Sequence, residues 1–293
     1  MLLPQLIVNG IIAGAIYALV AASFSLIFNI LKFMDLSPGA LFVIGAFATY
    51  AFNILFGMNF FISLLLGLIV VAICGVLINL IVYTPLRKRK ADNFSLLLAS
   101  FGVFLFLTGM ILLIFGAEVK SFGFPIEKGY EILGIVITKL QIILIIVSLI
   151  LFVALQLFMT KTKIGKALRA ISDNPRIAST LGINTEKFTN ITFIISSLLA
   201  GIAGILISLE QNLDHAMGFS VILKGITASV VGGIGSVPAA LIGGFLIGIV
   251  ENIGIWFLPS GFKDAIAFVI LIIFLLIRPK GLFGVKTREE VSG

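Results

Sequence analysis

Ionisable residues standing inside apolar runs are the first candidates for chemistry, because a charge in a membrane span is costly unless it faces a bundle interior or water. Glu251 lies deep in one such run with Asn252 beside it, and Lys224 lies in the run before. A Glu–Lys pair joining two neighbouring helices is the expected use of this intramembrane charge. The single cysteine, Cys74, sits in an apolar run and the single histidine, His215, between two such runs. Neither has a partner, so no disulfide framework, metal site or cofactor is expected. No His/Cys/Asp/Glu constellation or serine–base pair stands at catalytic spacing within the spans, which disfavours an intramembrane enzyme and leaves no catalytic residue to name.

Two interruptions put proline and glycine at the mouth of a span rather than in a long loop. The first is Asp35-Leu36-Ser37-Pro38-Gly39, and the second is Gly232-Gly233-Ile234-Gly235-Ser236-Val237-Pro238. Proline suits a helix N-terminus, whose free N–H groups form a partial positive end able to face a polar solute. Asp35, Ser37, Pro38, Gly39, Gly232, Gly233, Gly235 and Ser236 are therefore the candidates for a substrate path, against the plainer reading of two tight turns. The strings Pro38-Gly39-Ala40-Leu41 and Pro238-Ala239-Ala240-Leu241 also hint at an internal duplication.

The elements that must position these residues follow from bulk properties. With 60% apolar and 11% charged residues over 293 positions and a mean hydropathy of +1.24, the chain belongs in lipid. Each crossing of a roughly 30 Å hydrocarbon core takes about 20 apolar residues. Runs of that kind fall near 6–31, 39–57, 60–83, 94–116, 140–159, 191–209, 219–234, 237–258 and 262–278. The fold class is all-α: a single polytopic membrane domain over 1–293, with eight or nine crossings depending on whether the glycine-broken seventh run spans or re-enters. No soluble catalytic domain fits. The N-terminal stretch has no basic region before its apolar run, so a cleaved signal peptide is not expected.

Cationic clusters at Arg87 to Lys90, Lys161 through Lys187 and Arg278 through Arg288 face the cytoplasm by the positive-inside rule. With nine crossings the C-terminus is cytoplasmic, and fifteen of the twenty Lys and Arg residues lie inside. The net charge of +7 therefore orients the chain and implies no nucleic acid. Pairs such as Gly10/Gly14, Ala200/Gly204 and Gly244/Gly248 have the spacing that lets helices approach closely in lipid.

One connection, 160–190, is long, basic and patterned. Ile164, Leu168 and Ile171 fall on one helical face with Lys166, Arg169 and Asp173 off it. Asp173 or Asn174 can cap a second helix, Pro175 fits its first turn, and Gly182 can end it in the left-handed conformation. An ordered cytoplasmic loop suits a partner; the plainer alternative is an amphipathic helix resting on headgroups.

The stretch from Thr162 to Gly204, with GKALRA, the Asn174 turn, LGIN at 181–184 and LLAGIAG at 198–204, resembles the permease subunits of branched-chain amino acid ABC importers, and is closest to the LivH type. VVGGIGSVPAALIGG at 230–244 and RPKGLFG at 278–284 agree in order and spacing. The resemblance implies an ABC importer permease fold in a bacterial or archaeal plasma membrane. It further implies a second homologous permease, two cytosolic ATP-binding subunits and an extracytoplasmic binding protein. In that setting Gly165, Lys166, Ala167, Arg169, Ala170, Asn174 and Gly182 would couple the chain to the ATPase. The chain departs from the family where an Asn-Phe-Ala-His-Gly-like string is usual and Asp35-Leu36-Ser37-Pro38-Gly39 stands, and where Ala239 replaces a usual glycine. The first departure lies where selectivity could reside. No Gly-x-x-x-x-Gly-Lys-Ser/Thr string occurs, and Gly165-Lys166 lacks the preceding glycine, so the energy must come from a partner or a gradient. A gradient-driven carrier or channel is the alternative within transport, and amides or nucleosides are the alternative solutes.

Overall fold

The computed structural model describes residues 2–123, 129–132, 134–257, 259–278 and 281–283. The cationic residues Lys280, Lys286 and Arg288 lie outside the described residues, as do Glu127 and Lys128. Twelve helices follow in order: α1 (Leu2–Leu31), α2 (Ser37–Tyr50), α3 (Phe60–Ile78), α4 (Thr84–Lys88), α5 (Asn93–Phe115), α6 (Lys139–Lys161), α7 (Lys163–Asp173), α8 (Pro175–Thr180), α9 (Thr185–Glu210), α10 (Met217–Gly232), α11 (Val237–Gly254) and α12 (Lys263–Ile277). Two of them are extended by π turns, α2 by Ala51–Leu55 and α3 by Asn79–Tyr83, the latter leading straight into α4.

Each of the nine apolar runs forms a helix. Among the described residues seven are long and apolar enough to span, whereas α10, at 16 residues, and α12, at 15, are shorter. The early stop of α10 follows from Gly233 (φ +134°) and Gly235 (φ +83°), backbone conformations that favour glycine. The third span runs past residue 83 to Lys88 because the π turn carries it on, so Arg87 belongs to a helix rather than to a loop. The short antiparallel hairpin Tyr130–Ile132 with Ile135–Ile137, turned at Gly134 (φ +78°), has no counterpart in the sequence reading.

Close backbone approach builds the core. A Cβ on Gly14 would stand 2.8 Å from Phe245 Cα, and one on Gly45 would stand 2.7 Å from Gly201 Cα. Gly204 lies against the Phe42 backbone and Gly248 against Gly14. These contacts pack α1 along α11 and α2 along α9. All three small-residue pairs seen in the sequence thus sit at or beside helix interfaces. α1 is the most enclosed of the long spans, and α5 is the most open.

Polar contacts join the helices within the bundle, as between Ser23 and Ser196 and between Ser25 and Ser229, and also at its two ends. At one end Gln5 exchanges two hydrogen bonds with the Val136 backbone, Gln141 donates to Glu210, and Lys120 and Leu213 pair through their backbones. At the other end Ser172 bonds Asn29, and Lys88 lies 3.4 Å from Glu186.

Glycines therefore divide into two classes. Gly14→Ile should destabilise the detergent-solubilised protein by about 1–3 kcal/mol, the range for overpacking a tight contact. Gly102→Ala, with nothing within 4 Å of its added Cβ, should be neutral or slightly stabilising. Thermal melting of the two variants checks this, and equal loss in both would contradict the packing described.

Candidate functional site

At the first break, Asp35 is fully buried between α1 and α2. Its Oδ1 accepts from the Ser37 backbone N–H at 2.8 Å and from the Tyr83 hydroxyl at 2.6 Å, and its Oδ2 accepts from Ser37 Oγ at 2.8 Å. Burial pushes the Asp35 carboxyl above the usual carboxylate range, against three hydrogen bonds that draw it down. The Leu36 N–H reaches Ser100 Oγ at 3.3 Å. The free helix-start donors anticipated for a substrate are thus partly taken up by the chain's own carboxylate. Ser37, Pro38 and Gly39 are buried as well, and a Cβ on Gly39 would meet Ile222 and the Gly218 carbonyl at 2.8–2.9 Å. This segment is a packed joint.

The second break is also a packed turn. Gly232 lies against the Ala239 backbone, and a Cβ on Gly235 would stand 3.4 Å from Asn29 Oδ1. Gly281 (φ +76°) closes on Val230 and Gly233, and the N–H groups of Leu282 and Phe283 donate to the Val231 and Gly232 carbonyls at 2.9 Å. The last carbonyls of α10 are satisfied in this way by the chain that follows α12. Ser236 precedes α11 without a capping bond from its side chain. The interior void bounded by Ala15, Ser148, Phe152 and Leu199 is about 10 Å³, room for one water molecule.

The connection 160–190 is ordered as its sequence implies. Thr162 ends α6 and begins α7, accepting from the Gly165 N–H at 2.9 Å. Asn174, not Asp173, caps α8, with Oδ1 accepting from the Arg176 and Ile177 N–H groups at 3.0 and 3.1 Å. Gly182 has φ +82°. The buried face of α7 differs in one respect: it is Gly165, Leu168 and Ile171, with Ile164 turned outward. A Cβ on Gly165 would come within 2.6 Å of Met159 Cα, so only glycine lets α7 fold back on α6. Ala167 and Ala170 are half-buried, whereas Lys166 and Arg169 are exposed and Arg169 reaches the Thr160 carbonyl at 3.3 Å. Ile177 and Leu181 project outward, 58% and 74% exposed, beside the exposed Arg176.

The intramembrane pair exists and is larger than anticipated. Lys224 Nζ donates to Glu251 Oε1 at 2.8 Å and to the Tyr17 hydroxyl at 3.1 Å, and lies 2.7 Å from Asp264 Oδ1. All three ammonium donors are thereby used. Four helices, α1, α10, α11 and α12, meet at this point. Asp264 and Tyr17 escaped the sequence reading because Asp264 opens its helix, where a carboxylate passes for an ordinary first-turn residue, and a tyrosine within a span carries no charge to flag it. Tyr83 escaped for the same reason.

A bundle of this kind, with polar groups joining its helices and an ordered connection at one end, is that of a polytopic membrane protein. The chain matches the model of the family described as branched-chain amino acid transport system / permease component over residues 6–275, and it belongs to that family. The high-affinity branched-chain amino acid transport system permease protein BraD of Pseudomonas aeruginosa is 29% identical, over 98% of this chain and 97% of its own length. The probable branched-chain amino acid transport permease protein LivH of Methanocaldococcus jannaschii is 32% identical, over 97% and 94%. Among solved structures, PsaBC from Streptococcus pneumoniae in complex with Fab is similar in fold, with a TM-score of 0.51, 14% identity, and 93% of this chain and 91% of that chain covered.

Two outcomes follow from these clusters. Glu251→Gln keeps an acceptor for Lys224 and should melt close to the parent, whereas Glu251→Lys sets a second cation beside the first and should cost about 3–5 kcal/mol, the scale for leaving a buried charge uncompensated. Gly39→Val should lower assembly and uptake together, since the added side chain strikes Ile222 and the Gly218 carbonyl. Uptake lost from a fully assembled Gly39→Val complex would instead place that break on the solute's route.

Proposed function

We propose that this chain is the membrane-spanning subunit of an ABC importer that takes up branched-chain amino acids with ATP hydrolysed on separate subunits. Family membership over nearly the whole chain is the observation that carries this reading. The relatives' names supply the solute class, and no phosphate-binding loop in this sequence supplies the energy. In this assembly the chain pairs with a second homologous permease, two cytosolic ATP-binding subunits and an extracytoplasmic substrate-binding protein. It sits in a plasma membrane with the 160–190 connection and the C-terminus on the cytoplasmic side, where the cationic clusters of Arg87 to Lys90 and of that connection belong.

Docking of the ATP-binding subunit is assigned to α7 and α8. The sites anticipated there divide by exposure: Lys166 and Arg169, with Ile177 and Leu181, face a partner, whereas Gly165, Asn174 and Gly182 shape the elbow that presents them. Ala167 and Ala170, half-buried, lie between the two sets. An exposed apolar pair on a capped, ordered connection supports docking over simple contact with headgroups, because caps at Thr162, Asn174 and Asn184 fix the geometry that a push needs. The solute's route is assigned to the boundary between the two permeases, consistent with both breaks being filled by packing within the single chain.

Uptake of labelled leucine into proteoliposomes holding the full set of subunits tests the function. Uptake should require internal ATP and the binding protein, and excess valine should compete where a short amide or a purine nucleoside does not. Uptake by this chain alone after ATP depletion would establish a gradient-driven carrier instead. For docking, Leu181→Asp should leave the permease in the membrane and cut co-purified ATPase about tenfold, the effect of losing one well-buried interface anchor. Full retention of the ATPase would move the contact elsewhere.

A further inference from the structure

The Tyr83–Asp35 hydrogen bond joins two parts of the molecule with no sequence proximity, and a chain of contacts leads to it from the cytoplasmic connection. α9 begins inside that connection, where Asn184 accepts from the Lys187 N–H at 3.0 Å. Glu186, Asn190 and Phe193 follow at i, i+4 and i+7, on one helical face. All three meet the end of α3 and α4. Glu186 lies 3.4 Å from Lys88, Asn190 Oδ1 accepts from Asn79 Nδ2, and the Phe193 ring stacks on Tyr83 with centroids 5.5 Å apart. Arg87 Nη2 donates to Asn79 Oδ1 at 2.9 Å, so the amide is held from both sides. The exposed Lys88–Glu186 pair contributes little. The ring contact and the amide bond are the firm ones.

Asn79 and Tyr83 are the first and last residues of the π turn in α3. A π turn spends an extra residue per turn and so keeps both side chains on the side facing α9 and the start of α2; such turns inside α-helices gather at functional sites. Beyond Tyr83 lies Asp35, which uses both oxygens and binds the first N–H of α2. Twelve of the fourteen residues of α2 are buried. That helix lies against α3, α5, α9 and α10. A displacement handed to its first residue therefore moves a helix that touches much of the bundle.

We propose that Tyr83 is a positioning residue for transport, and that its hydroxyl on Asp35 is the joint through which movement of the 160–190 connection reaches α2. This rests on the reading of the chain as the permease of an ATP-driven importer. The phenol is well suited to the task. Its ring is packed between Phe33, 5.2 Å away, and Phe193, so the hydroxyl is aimed by two aromatic neighbours. Removing that one oxygen leaves the ring packing in place and breaks the link to Asp35, together with the hydroxyl's contacts to Ser37 and Ser100.

Tyr83→Phe in the complete reconstituted complex makes the test, with assembly, ATP hydrolysis and solute uptake measured on the same vesicles. Assembly and hydrolysis should stay at the parent level while uptake falls about tenfold, the scale of one hydrogen bond to a charged group. ATP spent per solute imported then rises by the same factor. With Tyr83 in place, Asp35→Asn keeps an acceptor for the phenol and should retain most of the parent ratio, whereas Asp35→Leu should not. A parent ratio in Tyr83→Phe overturns the inference, and so does a parallel loss of assembly, hydrolysis and uptake, which marks the bond as structural only. A parent complex that imports solute without ATP refutes the functional reading itself, a result separable from either.

Discussion

Lipid offers helices no hydrophobic reason to associate, so a membrane bundle holds together through close packing and a small number of polar contacts. In this chain the closest packing is backbone against backbone: Gly14 with Gly248, Gly45 with Gly201, Gly204 with Phe42. Helices brought that near leave little room between them along these contacts. The same closeness explains why both breaks, at residues 35–39 and 232–238, are filled by neighbouring helices.

Polar groups then serve as fasteners at the places where packing alone leaves freedom. Lys224 gathers Tyr17, Glu251 and Asp264 from three other helices, and an ammonium with three donors is the side chain that does this with least waste. Asp35 does the corresponding work with acceptors, drawing in Ser37 and Tyr83. A buried ion cluster is weak evidence of stability on its own, since desolvation offsets much of its attraction. Here it ties α1, α10, α11 and α12 together at one point, with Asp264 at the half-exposed edge.

Hydropathy made the nine helices legible, along with the shortness of α10, because length and apolarity are all that a span requires. The elbow of 160–190 was legible as well: Asn174, Pro175 and Gly182 are local signals and act locally. Less is legible where a local signal has a tertiary use. Ile164 fits the apolar face by spacing, yet Gly165 takes that face because α6 folds back too closely for a side chain. Pro38 and Gly39 mark a helix start, but nothing near them in sequence tells that Ile222 and Gly218 fill the space around it. The π turn at Asn79–Tyr83 is invisible to hydropathy, which registers length and apolarity but not the spacing of backbone hydrogen bonds.

In the importer proposed above, the 160–190 connection, the first turns of α9, the end of α3 and the whole of α2 would move as one block when the ATP-binding subunits take up nucleotide. Spin labels at Ser179→Cys, on the connection, and Met58→Cys, beyond the far end of α2, measure this directly in a chain whose Cys74 is replaced by alanine. Between the nucleotide-free and ATP-trapped complexes the distance between the two labels should change by less than about 2 Å, the scale of helix shear within a packed unit. The distance between the two Met58 labels of paired permeases, or from Met58 to its counterpart in a heterologous partner, should change by more. A large change between Ser179 and Met58 within one chain would show that the connection moves without α2, and would contradict the account.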